Sequence, residues 1–416
     1  YLEKIKEDKF SILDKIKEID PKQKVQFTLS IAISNEGKND KDKYKSAQTA
    51  MDIVLGRGGD QAVIRQNDIY KFFGGRAQEV EKRTKVKARV VAHALENLIK
   101  ESSKVMIMGH MNPDIDAMGS SIGVYRIAKS LDKNAYIITS DTPTLQSFKE
   151  SLLAEEPEYE DVLISKEVAE ENIDEDTLLV IVDTHKNTYV ESEEVVKKAK
   201  KIVVIDHHRR SADYIEDATL TFQEVYASSA AELVTELLQY TDVNVELKKI
   251  EAESLYAGIM MDTKSFTFKT GVRTFEAAAY LRRCGVDIIK VKKWFQSDLQ
   301  SFNIIADIVK SAEIVNESIA IAIYNKEKAK DVSLICAKAA DELLTINDVT
   351  ASFVLGNTGD KICISGRSIG DINVQVILEK LGGGGHITLA GAQVEGMTME
   401  EAKQELEEVV EFLKDP

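Results

Sequence analysis

Val105-Met106-Ile107-Met108-Gly109-His110-Met111-Asn112-Pro113-Asp114-Ile115-Asp116 opens as an unbroken apolar run and closes in histidine and acid. A short apolar run bounded by Gly and Pro is the pattern of a buried strand, and a helical pattern starts from about residue 116. The same device recurs twice. Leu178-Leu179-Val180-Ile181-Val182 runs into Asp183-Thr184-His185, and Ile202-Val203-Val204-Ile205 runs into Asp206-His207-His208-Arg209-Arg210. With Ala135 to Ile138 and the helical patterns between them, residues 104 to about 290 alternate strand and helix. That alternation predicts a mainly parallel sheet covered by helices.

In such sheets, sites form in the crevice beyond the carboxyl ends of the strands. Three strands that deliver acid and histidine to that edge converge in space. A fourth acid, Asp262, ends the apolar run Leu255-Tyr256-Ala257-Gly258-Ile259-Met260-Met261. Of the six histidines, four (His110, His185, His207 and His208) stand at these strand ends, and a fifth, His386, follows four glycines. The sixth, His93, falls in a helical run and reads as structural.

Asp114, Asp116, Asp183 and Asp262, packed together, would repel, and some would stay protonated. Two divalent cations would balance about four carboxylate charges and hold one water for attack on phosphorus. Imidazoles beside the acids make a mixed N/O donor set, which suits Mn²⁺ or a similar transition metal better than Mg²⁺. Each piece alone has a bland explanation. Asp-Thr-His after a strand is an ordinary turn, and Asp114 could be a helix N-cap. Asp206 could be a supporting residue. All three pieces at successive strand ends are hard to reach by accident.

Composition bounds the rest. The chain has 416 residues, 44% of them hydrophobic and 30% charged, which fits a folded protein of two or three domains. The net charge of −16 argues against long nucleic acid as a ligand. Cys284, Cys336 and Cys363 share no ligand spacing and imply a reducing compartment. No apolar stretch approaches ~18 residues, and no signal peptide is visible. Tyr1 rather than Met stands first, so a piece of a longer chain is expected.

Outward from the central domain, Ile12, Ile16 and Ile19 mark a helix, and Gln26 to Ile33 alternates as a strand. Asn35 to Tyr44 reads as a loop, Ser46 to Leu55 as a helix, and Gln61 to Arg65 and Ile69 to Phe73 as strands. Gly58-Gly59-Asp60-Gln61 is accounted for as turn chemistry. Residues 79 to 100 read as a connecting helix, and Ile288 to Val309 as a helical linker. The last hundred residues form a separate α/β unit. Its strands are expected near Ile319 to Ile323, Val349 to Leu355 and Lys361 to Ser365, with a C-terminal helix Met399 to Leu413. Within it, Leu381-Gly382-Gly383-Gly384-Gly385-His386 is costly to order, so something must use the bare backbone. Close approach of peptide N–H groups to a phosphate or base is one such use. Arg367, Ser368 and Asn373 add a guanidinium, a hydroxyl and an amide nearby.

His110-x-x-x-Asp114-x-Asp116, Asp183-Thr184-His185, Asp206-His207-His208, Asp262 and Gly-Gly-Gly-Gly-His, in that order, resemble the DHH phosphoesterase superfamily with its DHH-associated C-terminal domain. That superfamily includes exonucleases, nano-RNases and cyclic-di-AMP phosphodiesterases. The resemblance implies metal ligation by His110, Asp114, Asp116, Asp183, His207 and Asp262. It implies catalytic roles for Asp183, His207 and His208, the last against the phosphate. Arg367, Ser368, Asn373, Gly383, Gly384, Gly385 and His386 would line the nucleotide side. Residues 1–84 resemble the back half of a degenerate GGDEF domain, which narrows the match to GdpP-type phosphodiesterases.

The implied organisation is α/β throughout. A linker helix (85–103) leads into a DHH parallel-sheet domain (104–290), and a second linker helix (291–311) leads into a smaller DHH-associated α/β domain (312–416). The implied reaction is Mn²⁺-dependent hydrolysis of cyclic di-AMP to linear pApA with two metal ions. A nano-RNase acting on short linear oligonucleotides, or a non-catalytic nucleotide sensor, are the alternatives. The family also implies a homodimer, held at the cytoplasmic face of the cell membrane by segments upstream of this chain.

Overall fold

Parallel strand pairing dominates the centre of the chain. The computed structural model describes residues 8, 10–16, 29–56, 59–66, 69–74, 85–211, 213–296, 298–325, 332–359, 361–370, 372–385 and 387–412. The chain divides into two units, residues 1–295 and 296–416.

The first unit begins with a small sheet. Strand β1 (Ile31–Ser34) pairs parallel with β2 (Gln61–Gln66), which pairs antiparallel with β3 (Ile69–Gly74). The helix that joins β1 to β2 spans Asp40–Gly56, so half of the expected loop is helical. The side chain of Asn39 explains the early start, because its Oδ1 accepts the Asp42 N–H (2.9 Å). Asp40 and Asp42 then complement the positive end of the helix. Gly59 and Asp60 both take left-handed backbone angles (φ 73° and 56°), as a turn requires. Of the expected first strand, residues 26–28 lie outside the described residues, as does Ile19 of the first helix.

The large sheet follows: β4 (Lys104–Met108), β5 (Asn134–Ile138), β6 (Leu163–Ile164), β7 (Thr177–Val182), β8 (Lys201–Asp206) and β9 (Leu220–Gln223). Their spatial order is β6-β5-β4-β7-β8-β9, and every pair is parallel. All six residues of β7 are buried, which explains why the central strands read as continuous apolar runs. Strand order reverses between β4 and β7. That reversal opens a crevice at the carboxyl ends of these two strands.

Helix Lys85–Lys100, expected as a connector, packs into this domain. Ala88, Val91, Ala92, Leu95 and Ile99 form its buried stripe within the main core. The run Leu255 to Met261 lies in a helix, Lys249–Asp262, of which Asp262 is the last residue. This helix lies tightly against helix Ile115–Ser130, with glycines at the crossing. A Cβ on Gly119 would overlap the carbonyl oxygen of Ser254, and one on Gly258 would sit 2.7 Å from Asp116 Oδ1. The close crossing brings Asp116 and Asp262 to one place.

The expected linker helix of residues 291–311 is two helices, Ile288–Trp294 and Leu299–Lys310. Asp298 starts the second by accepting the Ser301 N–H (2.9 Å). The boundary between the two units falls in this break.

The second unit holds β10 (Glu313–Val315), β11 (Ile319–Tyr324), β12 (Ala351–Asn357), β13 (Ile362–Ser368), β14 (Gly384–Gly385) and β15 (Leu389–Val394), in the order β10-β11-β12-β13-β15-β14. Among the described residues of this unit, only β11 and β12 pair parallel, and helix Val332–Leu343 lies between them in the chain. That helix covers one face through Cys336, Ala339, Ala340 and Leu343. Helices Val374–Lys380 and Met399–Phe412 cover the other. Among the described residues, no helix is long and apolar enough to cross a membrane.

The glycine crossing yields a stability prediction. Gly119→Ala should destabilise the fold by about 1–3 kcal/mol, because the two helices must part to admit the methyl group. The midpoint of urea unfolding measures it.

Candidate metal centre

Each acid and histidine of the crevice is placed by its own backbone device. Asp183 leaves β7 in a left-handed conformation (φ 60°), rare for a residue with a Cβ and concentrated at functional sites. Its N–H still donates to Ile205 O of β8 (2.9 Å), so the turn is anchored in the sheet. His110 leaves β4 and stacks on Tyr189 with ring centres 5.3 Å apart, and the next N–H, of Met111, donates to Tyr189 O.

Asp114 does cap helix Ile115–Ser130. Its Oδ1 accepts the N–H groups of Asp116 (2.9 Å) and Ala117 (3.1 Å). The cap uses one oxygen only, and Oδ2 lies 3.8 Å from His110 Nε2. Asp116 is fully buried, and its two oxygens accept the N–H groups of Ala230 (2.7 Å) and Ala231 (2.8 Å), which open helix Ala230–Leu238.

Among the described residues, donor atoms converge here in His110/Asp114/Asp183 and in Asp116/His207/Asp262, with Asp183/His207/His208 linking the two. Asp183 reaches both. Its Oδ2 is 3.6 Å from His110 Nε2, and its Oδ1 is 3.3 Å from His207 Nε2. His207 Nε2 also lies 3.0 Å from Asp262 Oδ2 and 4.0 Å from Asp116 Oδ2. All six residues named from the sequence as ligands therefore meet in one crevice. The side chains of Asp114 and Asp262 are 26% and 23% exposed, so the cluster is open to solvent on their side.

The electrostatics are those of a cluster that protons alone balance poorly. Burial pushes Asp116 up, the carboxylates of Asp183 and Asp262 push further, and the group sits well above the ordinary carboxylate range. Burial also raises Asp262, against the opposing pull of His207. For His110, burial favours the neutral ring, but Asp114 and Asp183 outweigh it and raise the pKa to about 11. Asp183 is buried too, yet His110 and His207 bring it down to about 2.

Despite these short approaches, Asp183 Oδ1 and both ring nitrogens of His207 are buried without any hydrogen bond. Buried polar atoms are rarely left so. Donors that point at a common centre, rather than at one another, fit a divalent cation. The nitrogen and oxygen mixture fits a first-row transition metal.

His208 is half exposed and turns its Nδ1 to Asp206 Oδ1 (2.8 Å), and Nε2 has no hydrogen bond among the described residues. His185 also turns to Asp206, away from the converging atoms. His93 pairs with Asp242 (3.2 Å) and takes no part in this cluster. Sequence reasoning missed the amides of Ala230 and Ala231, since backbone groups carry no residue signature. The start of their helix was nonetheless legible, as Ser229 stands three residues before Glu232 and its Oγ accepts the Glu232 N–H (3.0 Å).

In the second unit, several residues picked from the sequence already have structural work. Arg367 is buried, with Nε on Asp341 Oδ1 (2.8 Å) and Nη1 on Gly366 O (2.9 Å). Ser368 Oγ accepts the Gly370 N–H, and Asn373 caps helix Val374–Lys380. The glycine run is largely explained from within. Gly382 (φ 76°) and Gly383 close that helix by donating to Glu379 O (3.2 Å) and Leu378 O (2.8 Å), a Schellman ending. A Cβ on Gly383 or Gly385 would overlap the carbonyl oxygen of Gly391 or Leu389 in β15. Gly382 and Gly384 have open space beside them, but the left-handed angle of Gly382 already favours glycine there. Capping and strand packing are thus uses the chain itself makes of the bare backbone at three of the four glycines. His386 lies outside the described residues.

Family models match along the chain. The "DHH family, N-terminal domain" matches residues 104–259. The "DHHA1 domain" matches 316–415, and the "Cyclic-di-AMP phosphodiesterase GdpP-like, GGDEF domain" matches 1–72. The chain belongs to the DHH family.

This DHH-family chain is 45% identical over 414 residues to "Cyclic-di-AMP phosphodiesterase GdpP" of Geobacillus thermodenitrificans, covering 98% of this chain and 63% of that one. It is 44% identical over 410 residues to "Cyclic-di-AMP phosphodiesterase PdeA" of Listeria monocytogenes, covering 97% and 62%. The chain thus spans less than two thirds of the length of these relatives. A crystal structure of an exopolyphosphatase-related protein from Bacteroides fragilis matches with a TM-score of 0.69 at 23% identity, over 81% of this chain and 98% of that one. That likeness supports the fold.

Metal binding should be visible without any substrate. Mn²⁺ at ~100 times its Kd should stabilise the fold by about 2.7 kcal/mol, raising the melting temperature, and a chelator should reverse the shift. Because Mn²⁺ must displace the proton held by His110, the shift should shrink as pH is lowered. Scanning calorimetry with and without metal checks both.

Proposed function

We propose that the chain is the catalytic portion of a metal-dependent phosphodiesterase that hydrolyses cyclic di-AMP to linear pApA. The observation that carries this reading is the bridging position of Asp183, whose two carboxylate oxygens face two separate His/Asp sets. The family membership and the names of the relatives support the choice of substrate.

In this reading His110, Asp114 and Asp183 would hold one Mn²⁺, and Asp116, His207, Asp262 and Asp183 would hold a second. Cations there would balance the carboxylates whose mutual repulsion and burial raise Asp116 above the ordinary range. Cations bound there supply Lewis acidity at phosphorus and lower the pKa of water. The remaining work belongs to the chain. Asp114 and Asp116 are held by amide donors that fix the carboxylate planes. His208, clamped by Asp206, presents Nε2 to a phosphate oxygen or to the departing 3′ oxygen. Catalytic roles thus fall to Asp183, His207 and His208.

In the second unit, Arg367, Ser368, Asn373, Gly383, Gly384, Gly385 and His386 serve the nucleotide. Gly384 has open space beside its Cα, as does Gly382, and Arg367 is held in place by Asp341. The reading carries with it a homodimer, and a place for the longer protein at the cytoplasmic face of the membrane.

Incubation with Mn²⁺ and cyclic di-AMP, cyclic di-GMP or pApA, followed by chromatography, tests the proposal. Cyclic di-AMP should be consumed fastest, with pApA accumulating. Faster loss of pApA would make the protein an oligonucleotide-degrading enzyme, and tight binding without product would make it a sensor. Asp183→Ala should remove turnover, while its melting curve without metal stays that of a folded protein.

A further inference from the structure

His185 stands two residues beyond Asp183, but both of its ring nitrogens are committed elsewhere. Nε2 faces the backbone N–H of Ser211 at 2.9 Å. A backbone amide can only donate, so Nε2 is the acceptor and carries no proton. The ring proton therefore sits on Nδ1, which donates to Asp206 Oδ2. The other oxygen of Asp206 receives the N–H and Nδ1 of His208, at 3.1 and 2.8 Å. Asp206 is wholly buried and His185 nearly so, whereas the His208 side chain is 44% exposed. Gln223 closes the arrangement by donating to His208 O (2.8 Å).

We propose that His185 is a positioning residue that acts on His208 through Asp206. The proposal rests on the catalytic part given to His208 above. No atom of His185 belongs to the converging donor sets, and neither ring nitrogen is free to ligate a cation. Its contribution is directional. A buried carboxylate with one partner can rotate, and His208 would rotate with it. With Oδ2 held by His185 and His185 held by the loop at Ser211, Oδ1 has one orientation. His208 Nε2 is then aimed before substrate arrives.

Two substitutions separate the contacts. His185→Gln places an amide where Nε2 was, which can still meet the Ser211 N–H but offers Asp206 no donor. His185→Asn places a donor where Nδ1 was. With the Mn²⁺-loaded protein, His185→Gln should lower kcat about 10–100-fold, while KM and Mn²⁺ affinity by calorimetry hold within about twofold. His185→Asn should recover most of the loss. In a His208→Ala background, His185→Gln should cost nothing further.

Additive losses in the double variant, equal losses in the Asn and Gln variants, or weakened Mn²⁺ binding would overturn the inference. Rates are read on cyclic di-AMP and on the chromogenic diester bis(p-nitrophenyl) phosphate. A wild type that cuts only the chromogenic diester would sink the substrate reading and still decide the role of His185. Activity on neither would sink both.

Discussion

Four carboxylates share one crevice, and this repulsion organises the rest of the first unit. An isolated ionised carboxylate in a low-dielectric interior costs on the order of tens of kcal/mol and avoids the cost by taking up a proton. Here the compensation is divided. Asp116 takes two helix amides, Asp114 takes two more, Asp183 lies beside two imidazoles that lower its pKa, and Asp116 still sits well above its usual range. The remaining imbalance is of the kind that divalent metal binding removes. Buried ring and carboxylate atoms without hydrogen bonds are the structural mark of that arrangement.

Bringing those groups together demanded unusual backbone. Strand order reverses between β4 and β7, so His110 and Asp183 face each other across the switch point. Asp183 accepts a left-handed conformation that points one oxygen to each set of donors. Gly119 and Gly258 let two helices approach closely enough to deliver Asp116 and Asp262. The aspartate and second histidine of Asp206-His207-His208 form a separate layer. They carry no atom of the six-residue set, but they aim a partly exposed imidazole beside it.

Much of this was legible along the chain. The buried strands, their acid and histidine ends and the separate C-terminal unit followed from apolar run length and from the residue types that close each run. Other features were not legible. A helix began at Asp40 rather than Ser46 because one asparagine side chain caps it. The second linker broke in two at Asp298 for the same kind of reason. Helix Lys85–Lys100 read as a connector because only its partner surface reveals that its apolar stripe belongs to the main core. The glycine run looked like a ligand cradle, yet three of its members end a helix and seat a strand against β15.

By itself, the order of residues determined which side chains could ligate metal, because apolar strands that end in Asp and His announce the chemistry locally. Only the tertiary structure decided how those side chains divide their labour. Asp183 became the bridge, Asp262 arrived from a helix end, Arg367 was bound to Asp341, and His185 turned from the cluster toward Asp206. These outcomes depend on hydrogen bonds and close contacts between segments far apart in the chain, and local pattern carries no record of which distant atom a side chain will meet.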